Sequence, residues 1–287
     1  MSIDLLQEKI RRCHNPAMLH LELTQDLVPQ AVLEQAGSLP AAYGAMSRAV
    51  LEALRGIVPA VRVSYASFAL LGSAGILELE SVMQTAQSMG YYVVLDWMRA
   101  DGPALAKATA DTVLGNWSCD GITLPPYLGS ESVTPFLPYC KNPGKTVFLQ
   151  VKSANRSGSE IQDLMTGGRL VHTAVADLCS SLGQDCLGRY GYSQVAAMAS
   201  ASAAASLQQL RSRYPRMFLL VDGFNFTNGN GKSCSAAFDR LGRGAVVCAG
   251  SVILGAWQEN PEQDYVEAAV NAAQRMKKIL GNYVTTM

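Results

Sequence analysis

Eight short apolar runs, each bounded by turn residues and nearly all followed by a stretch of helical periodicity, constrain this chain more than any other feature. They cover residues 17–22, 60–65, 91–96, 120–124, 146–151, 194–199, 217–222 and 245–249. Runs that are apolar on both faces belong to a parallel sheet covered by helices. Eight such units in 287 residues match the arithmetic of a closed barrel. An open doubly wound sheet uses the same alternation, but no G-x-G-x-x-G turn follows the first run. The expected fold is therefore α/β, a single-domain (β/α)8 TIM barrel over residues 1–287. Hydrophobic content of 49% against 16% charged residues is enough to fill such a core.

Lysine plus arginine and aspartate plus glutamate each number 23, and no block of like charge stands out. That balance argues against nucleic acid or a membrane surface as partner. The seven cysteines form no C-x-x-C pair, which argues against structural zinc and for reduced thiols. With no signal peptide recognised and no spanning apolar run, a cytoplasmic location is expected. The biased run 196–206 reads as a strand end leading into a small-residue helix.

The stretch Val94-Leu95-Asp96-Trp97-Met98-Arg99-Ala100-Asp101 ends the third run with two acids five positions apart. A helix over 103–114 would place both acids on a strand-to-helix loop, the rim where barrels build active sites. Read alone, the acids could equally be solvated loop residues or helix N-caps, and Met98 could be core filler. Acids gathered at one mouth without a lysine repel and raise a carboxylate pKa unless Arg62, Arg99 or a metal compensates. His20 reads as a hydrogen-bonded core histidine, with a ligand role as the alternative. Asn228-Gly229-Asn230-Gly231-Lys232-Ser233 ends like a phosphate loop, but Phe226 stands where the Walker pattern needs glycine, so a hairpin or helix start is expected. Backbone N–H groups there would still suit an anion.

Several strings, in chain order, resemble the longer bacterial form of orotidine 5'-phosphate decarboxylase. They are Asn15-Pro16 through Pro29; Phe68, Gly72, Gly75-Ile76 and Leu79-Glu80; and Asp96-x-x-Arg99-x-Asp101, similar to D-x-K-R-x-D. Next come Pro126-Tyr127-Leu128-Gly129-Ser130-Glu131-Ser132 with Pro135-Phe136. Lys152-Ser153-Ala154-Asn155 and Gly158-Ser159-Glu160-Ile161-Gln162-Asp163-Leu164 resemble R-T-S-N and G-S-G-E-L-Q-D-L. Long polar loop strings of this kind are poorly explained by core packing.

The resemblance implies a cofactor-free carboxy-lyase in which a Lys-Asp-Lys-Asp array stresses the substrate carboxylate and protonates the resulting carbanion. No metal is expected. In this sequence Asp96 and Asp101 remain, while Met98 stands for the lysine between them and Arg62, in Val61-Arg62-Val63, for the lysine the family carries after its second strand. Methionine has no proton to give, and arginine keeps its own. The family's P-G-x-G-A-Q-G-G turn appears as Asp222 to Gly229, with Thr227 at the glutamine position, and the phosphate-gripping arginine falls at Ser251. Glu22 stands where the family has the aspartate of its first turn, after His20 in place of glycine.

The expectation is a homologue without decarboxylase activity. A retained nucleotide or phosphorylated small molecule would meet Ser153 and Asn155 at its base, Asp96 and Glu22 at its ribose, and Thr227, Gly229, Gly231, Lys232 and Ser251 at its phosphate. One alternative is a working decarboxylase of pyrimidine synthesis in which Arg62, Lys107 or Lys152 fills the gap. Another is a metal-dependent sugar-phosphate enzyme with Glu22 and Asp96 holding Mg²⁺. The resemblance also implies a homodimer, with Asp101 reaching the partner's site.

Overall fold

The computed structural model describes residues 2–142 and 144–285. Eight parallel strands close into a barrel: β1 (Ala17–Leu21), β2 (Ala60–Ser64), β3 (Tyr92–Asp96), β4 (Gly121–Leu124), β5 (Thr146–Gln150), β6 (Val195–Ser200), β7 (Leu219–Asp222) and β8 (Ala245–Ala249). Each pairs with its neighbours in sequence, and β1 closes the ring against β8, Met18 opposite Cys248. The expected (β/α)8 barrel is therefore observed, with strand ends within about two residues of those read from the runs. The seventh is the shortest against expectation, since Met217 and Phe218 precede the ladder.

Period-two parity divides every strand. Leu19, Val61, Val63, Val93, Leu95, Val147 and Val221 join the outer core beneath the helices. Met18, Ala60, Tyr92, Val94, Phe148, Met198, Leu220 and Cys248 form a separate apolar cluster that fills the barrel. The floor of that cluster is an element outside the eight units. The N-terminal helix α1 (Ser2–Cys13) contributes Ile3, Leu6 and Ile10, one face at helical spacing. Its polar groups are placed as well: Ile3 N donates to Gln194 Oε1 at 2.9 Å, and Gly244 N donates to Gln7 Oε1 at 2.7 Å.

Local signals set the outer helices. Ser38 caps Leu39–Leu54 with Pro40 in its first turn, and Asp264 accepts from Val266 N and Glu267 N to start Tyr265–Gly281. The latter buries Ala268, Ala269, Ala272, Ala273, Met276 and Leu280 along one side. The helix expected over 103–114 runs as α-helix through Pro103–Thr109 and then widens into a π turn over Ala110–Leu114. Among the described residues no helix is long and apolar enough to cross a membrane.

Candidate active site at the barrel mouth

At the C-terminal ends of the strands the inward positions turn from apolar to charged. His20 of β1 lies directly opposite Arg62 of β2, and Arg62 opposite Val94 of β3, two residues before Asp96. Arg62 therefore sits within its strand, as the run over 60–65 requires, and its guanidinium is buried inside the barrel. Its Nη2 donates to Asp96 Oδ1 at 2.7 Å. Thr123 Oγ1 donates to the same oxygen at 2.7 Å, and His20 Nε2 lies 3.1 Å from Oδ2. Asp222, at the end of β7, stands 3.0 Å from Arg62 Nη1. That distance makes an ion pair, but the N–H is not aligned on the carboxylate, so Nη1 and Nε are enclosed without a hydrogen-bond acceptor.

The electrostatics follow from this packing. Burial alone would raise the Asp96 pKa, but the Arg62 charge, the contact with His20 and the Thr123 hydrogen bond outweigh it and hold the carboxyl well below the usual range. Burial likewise opposes the Arg62 charge, which Asp222 first, then Asp96 and Cys248, offset and reinforce. Cys248 of β8 is pushed well above the ordinary thiol range by burial, which Arg62 only partly offsets. Arg62 is thus the compensating charge that the clustered acids require.

The loop after β3 carries the remaining motif residues. Met98 is 36% exposed and adopts φ +45°, a left-handed conformation uncommon for a residue with a side chain. Its N–H donates to Thr123 O at 3.1 Å, tying the loop to β4. Arg99 pairs with Asp101 at 3.4 Å and lies over the Trp97 ring. Neither acid is an N-cap, since Gly102 precedes the helix and makes no side-chain cap. Lys107 pairs with Asp111 on the outer surface, and Lys152 pairs with Asp163, which also lies 3.2 Å from His172.

The other predicted residues are spread around the rim. Glu22, 62% exposed, has Oε2 3.6 Å from His20 Nδ1. Ser153 is bound to Gln162, whose Oε1 accepts from Ser153 N at 3.0 Å, and Asn155 is exposed. Thr227 N and Gly229 N both donate to Asn225 Oδ1, so these amides face their own loop. Asn230 caps a short helix, Gly231–Ser235, as the expected helix start, accepting from Lys232 N and Ser233 N. Gly231 approaches the C-terminal helix so closely that a Cβ would lie 2.8 Å from Ile279 O, a packing reason for glycine. Ser251 opens the short helix Ser251–Leu254 and is exposed. Asp222, Cys248 and Thr123 were missed as site residues, and His20 was left to the core. Their signal was parity: each is an inward position at the top of its strand.

A closed parallel eight-stranded barrel with a buried arginine–carboxylate cluster at the C-terminal ends of its strands defines an α/β-barrel protein with its candidate site at the mouth. Comparison narrows it further. No family model matches the chain. The orotidine 5'-phosphate decarboxylase of Rhodopirellula baltica is 36% identical over 217 residues, covering 73% of this chain and 72% of that protein. The orotidine 5'-phosphate decarboxylase of Clostridium novyi is 25% identical over 283 residues, 97% and 98% of the two chains. The solved structure of Leishmania donovani OMP decarboxylase superposes with a TM-score of 0.75 over 98% of both chains at 23% identity, a likeness of fold. The chain belongs to the orotidine 5'-phosphate decarboxylase family. None of these relatives supports the sugar-phosphate alternative.

Proposed function

We propose that this protein is a member of the family that no longer decarboxylates and keeps a binding site for a nucleotide or phosphorylated small molecule. The observation that carries this reading is the cation at Asp96. It is Arg62, enclosed and held charged by two carboxylates, while the position between the motif acids is Met98. A general acid contributes about 10² to 10⁴ in rate, and a misplaced electrostatic group costs about 3 kcal/mol more. Neither Met98 nor Arg62 can deliver a proton to a carbanion. At the phosphate end Ser251 supplies no charge, and the Gly229 N–H is occupied within its loop. Binding from a remote phosphate lowers barriers at the reacting centre, so this change weakens turnover as well as affinity.

Ser153, Asn155, Glu22, Lys232 and Ser251 are the residues assigned to a retained ligand. The protein acts as a homodimer in this reading, with Asp101 directed at the partner's mouth. Exposed Leu105 on the helix after β3, with Tyr127 and Leu128 on the turn after β4, favour such a contact. Light scattering at micromolar concentration tests it, and the mass of one chain would reject both the dimer and the role of Asp101.

The deciding experiment for function incubates the purified protein with orotidine 5'-phosphate while following ultraviolet absorbance and thermal unfolding. The expected result is a raised unfolding midpoint with no loss of substrate absorbance. Turnover at about 1 to 10³ per second would instead establish the competing reading, a working decarboxylase of pyrimidine biosynthesis. That reading is favoured by the 2.7 Å Arg62–Asp96 contact, which keeps a cation beside the first motif acid.

A further inference from the structure

Three strands that meet only when the barrel closes bring together His20, Asp222 and Cys248. One donor atom from each lies within 4.8 Å of the others, the one such His/Cys/acid group among the described residues. His20 and Cys248 are buried, and Asp222, with its side chain 23% exposed, connects the group to solvent at the mouth. We propose that this cluster is a binding site for a divalent transition-metal ion, Zn²⁺ by its donor set, held by the His20 imidazole, an Asp222 oxygen and the Cys248 sulfur. The inference stands whether or not the protein decarboxylates.

Donor chemistry is the first support. A mixed nitrogen, oxygen and sulfur set suits zinc, whereas magnesium and calcium take oxygen alone. Zinc bonds of about 2.0–2.3 Å place tetrahedral ligands about 3.3–3.8 Å apart, so the group must close by no more than about 1.5 Å. Three protein ligands leave a fourth position for water or a ligand.

A carboxylate already orients the imidazole. His20 Nε2 faces Asp96 Oδ2 at 3.1 Å and Nδ1 faces Glu22 Oε2 at 3.6 Å. With Nδ1 on the metal, Nε2 keeps its contact with the Asp96 carboxylate, the arrangement that fixes a ligating imidazole. The enclosed Arg62 Nε and Nη1 lack acceptors, although Arg62 lies against Cys248. Metal binding converts the Cys248 thiol to a thiolate, releasing one proton to solvent, and gives that guanidinium a charged neighbour. Asp222 can hold the ion through one oxygen while the other stays against Arg62. Charge also closes: Arg62 balances Asp96, and the dication balances Asp222 and the thiolate.

The test is a Co²⁺ titration of chelator-treated full-length protein. The expected result is one equivalent bound, with intense tetrahedral visible bands and a near-ultraviolet thiolate-to-cobalt band, both abolished by added Zn²⁺. Zinc at about a hundred times its dissociation constant should raise the unfolding midpoint by about 4–5 °C. Cys248→Ser should remove the thiolate band, His20→Asn should remove stoichiometric binding, and Cys13→Ser, at a thiol outside the cluster, should change neither. Should the buried substitutions fail to fold, Asp222→Asn, at the partly exposed ligand, decides by the same titration. Weak six-coordinate spectra without the thiolate band, or a band that survives Cys248→Ser or Asp222→Asn unaltered, would overturn the site.

Discussion

At the floor of the barrel, Ile3, Leu6 and Ile10 of α1 join Tyr92, Phe148 and Phe218 in one apolar cluster, while at the mouth Arg62, Asp96, Asp222 and His20 fill the same cylinder with charge. The floor satisfies its polar groups by hydrogen bonds, with Gln194 Oε1 accepting from Ile3 N and Thr146 Oγ1, both at 2.9 Å, and the Asp4 and Asp120 carboxylates accepting from backbone N–H groups. One neutral donor, Gln194 Nε2, is left over there, whereas the mouth leaves two nitrogens of a guanidinium unmet. A buried ion pair is seldom more stabilising than an apolar replacement, and breaking one side of it is costly. The floor is built for stability. The mouth holds its charges at a stability cost.

That contrast can be broken experimentally. The largest effect is expected from Arg62→Met, which leaves Asp96 and Asp222 enclosed without their cation and should cost about 3–5 kcal/mol by denaturant unfolding. Adding Asp96→Asn to it should recover part of the loss, and strictly additive losses would show that the two groups are not coupled. At the floor, Leu6→Ala should cost about 3 kcal/mol through the cavity it leaves, by the same amount whether or not Asp96 is replaced by Asn. A loss that changes with Asp96→Asn would erase the distinction between the two ends.

Acid should act on the mouth. The Asp96 carboxyl titrates below its unfolded value of about 3.9, so its stabilisation is complete above about pH 5 and is lost as pH falls through the folded value. The expected acid loss is about 2 kcal/mol, and Asp96→Asn should flatten that limb of the stability profile. An unchanged acid limb would mean that Arg62 does not hold the carboxylate ionised.

Smaller effects sit on the loop. Met98→Gly should stabilise by about 0.5–1 kcal/mol, because glycine adopts φ +45° without strain. A loss would show that the Met98 side chain contributes more by packing than its backbone costs. Met98→Lys should leave orotidine 5'-phosphate decarboxylation undetectable, since Arg62 and Ser251 remain and catalytic groups that act as a unit do not add. Full recovery from that single change would locate the whole defect at one position.

Much of this molecule is legible in its sequence. All eight barrel strands follow from apolar runs, and Asp96, Arg62 and the loop strings follow from motif spacing. The helix α1 escaped because its apolar face lies outside the strand–helix alternation, and nothing local says that it plugs a barrel. Arg62 and Arg99 were both credible partners for the motif acids. The structure separated them by register: Arg62 opposes Val94 across the β2–β3 ladder and points inward, while Arg99 lies beyond the strand and meets Asp101. His20 was read as a core histidine, which its burial matches, but the carboxylates on both its nitrogens come from distant and neighbouring residues alike.

The sequence by itself determined the barrel, because strand length, inward–outward parity and the helices between runs are local properties that a chain writes in order. It also determined that lysine is missing from between the motif acids. Only tertiary structure decided what stands in the space that remains. His20, Asp222 and Cys248 are separated by up to most of the chain, and they meet because β1 closes the ring against β8 with β7 beside it. No spacing rule encodes that meeting, since closure of a barrel joins the first strand to the last whatever lies between them.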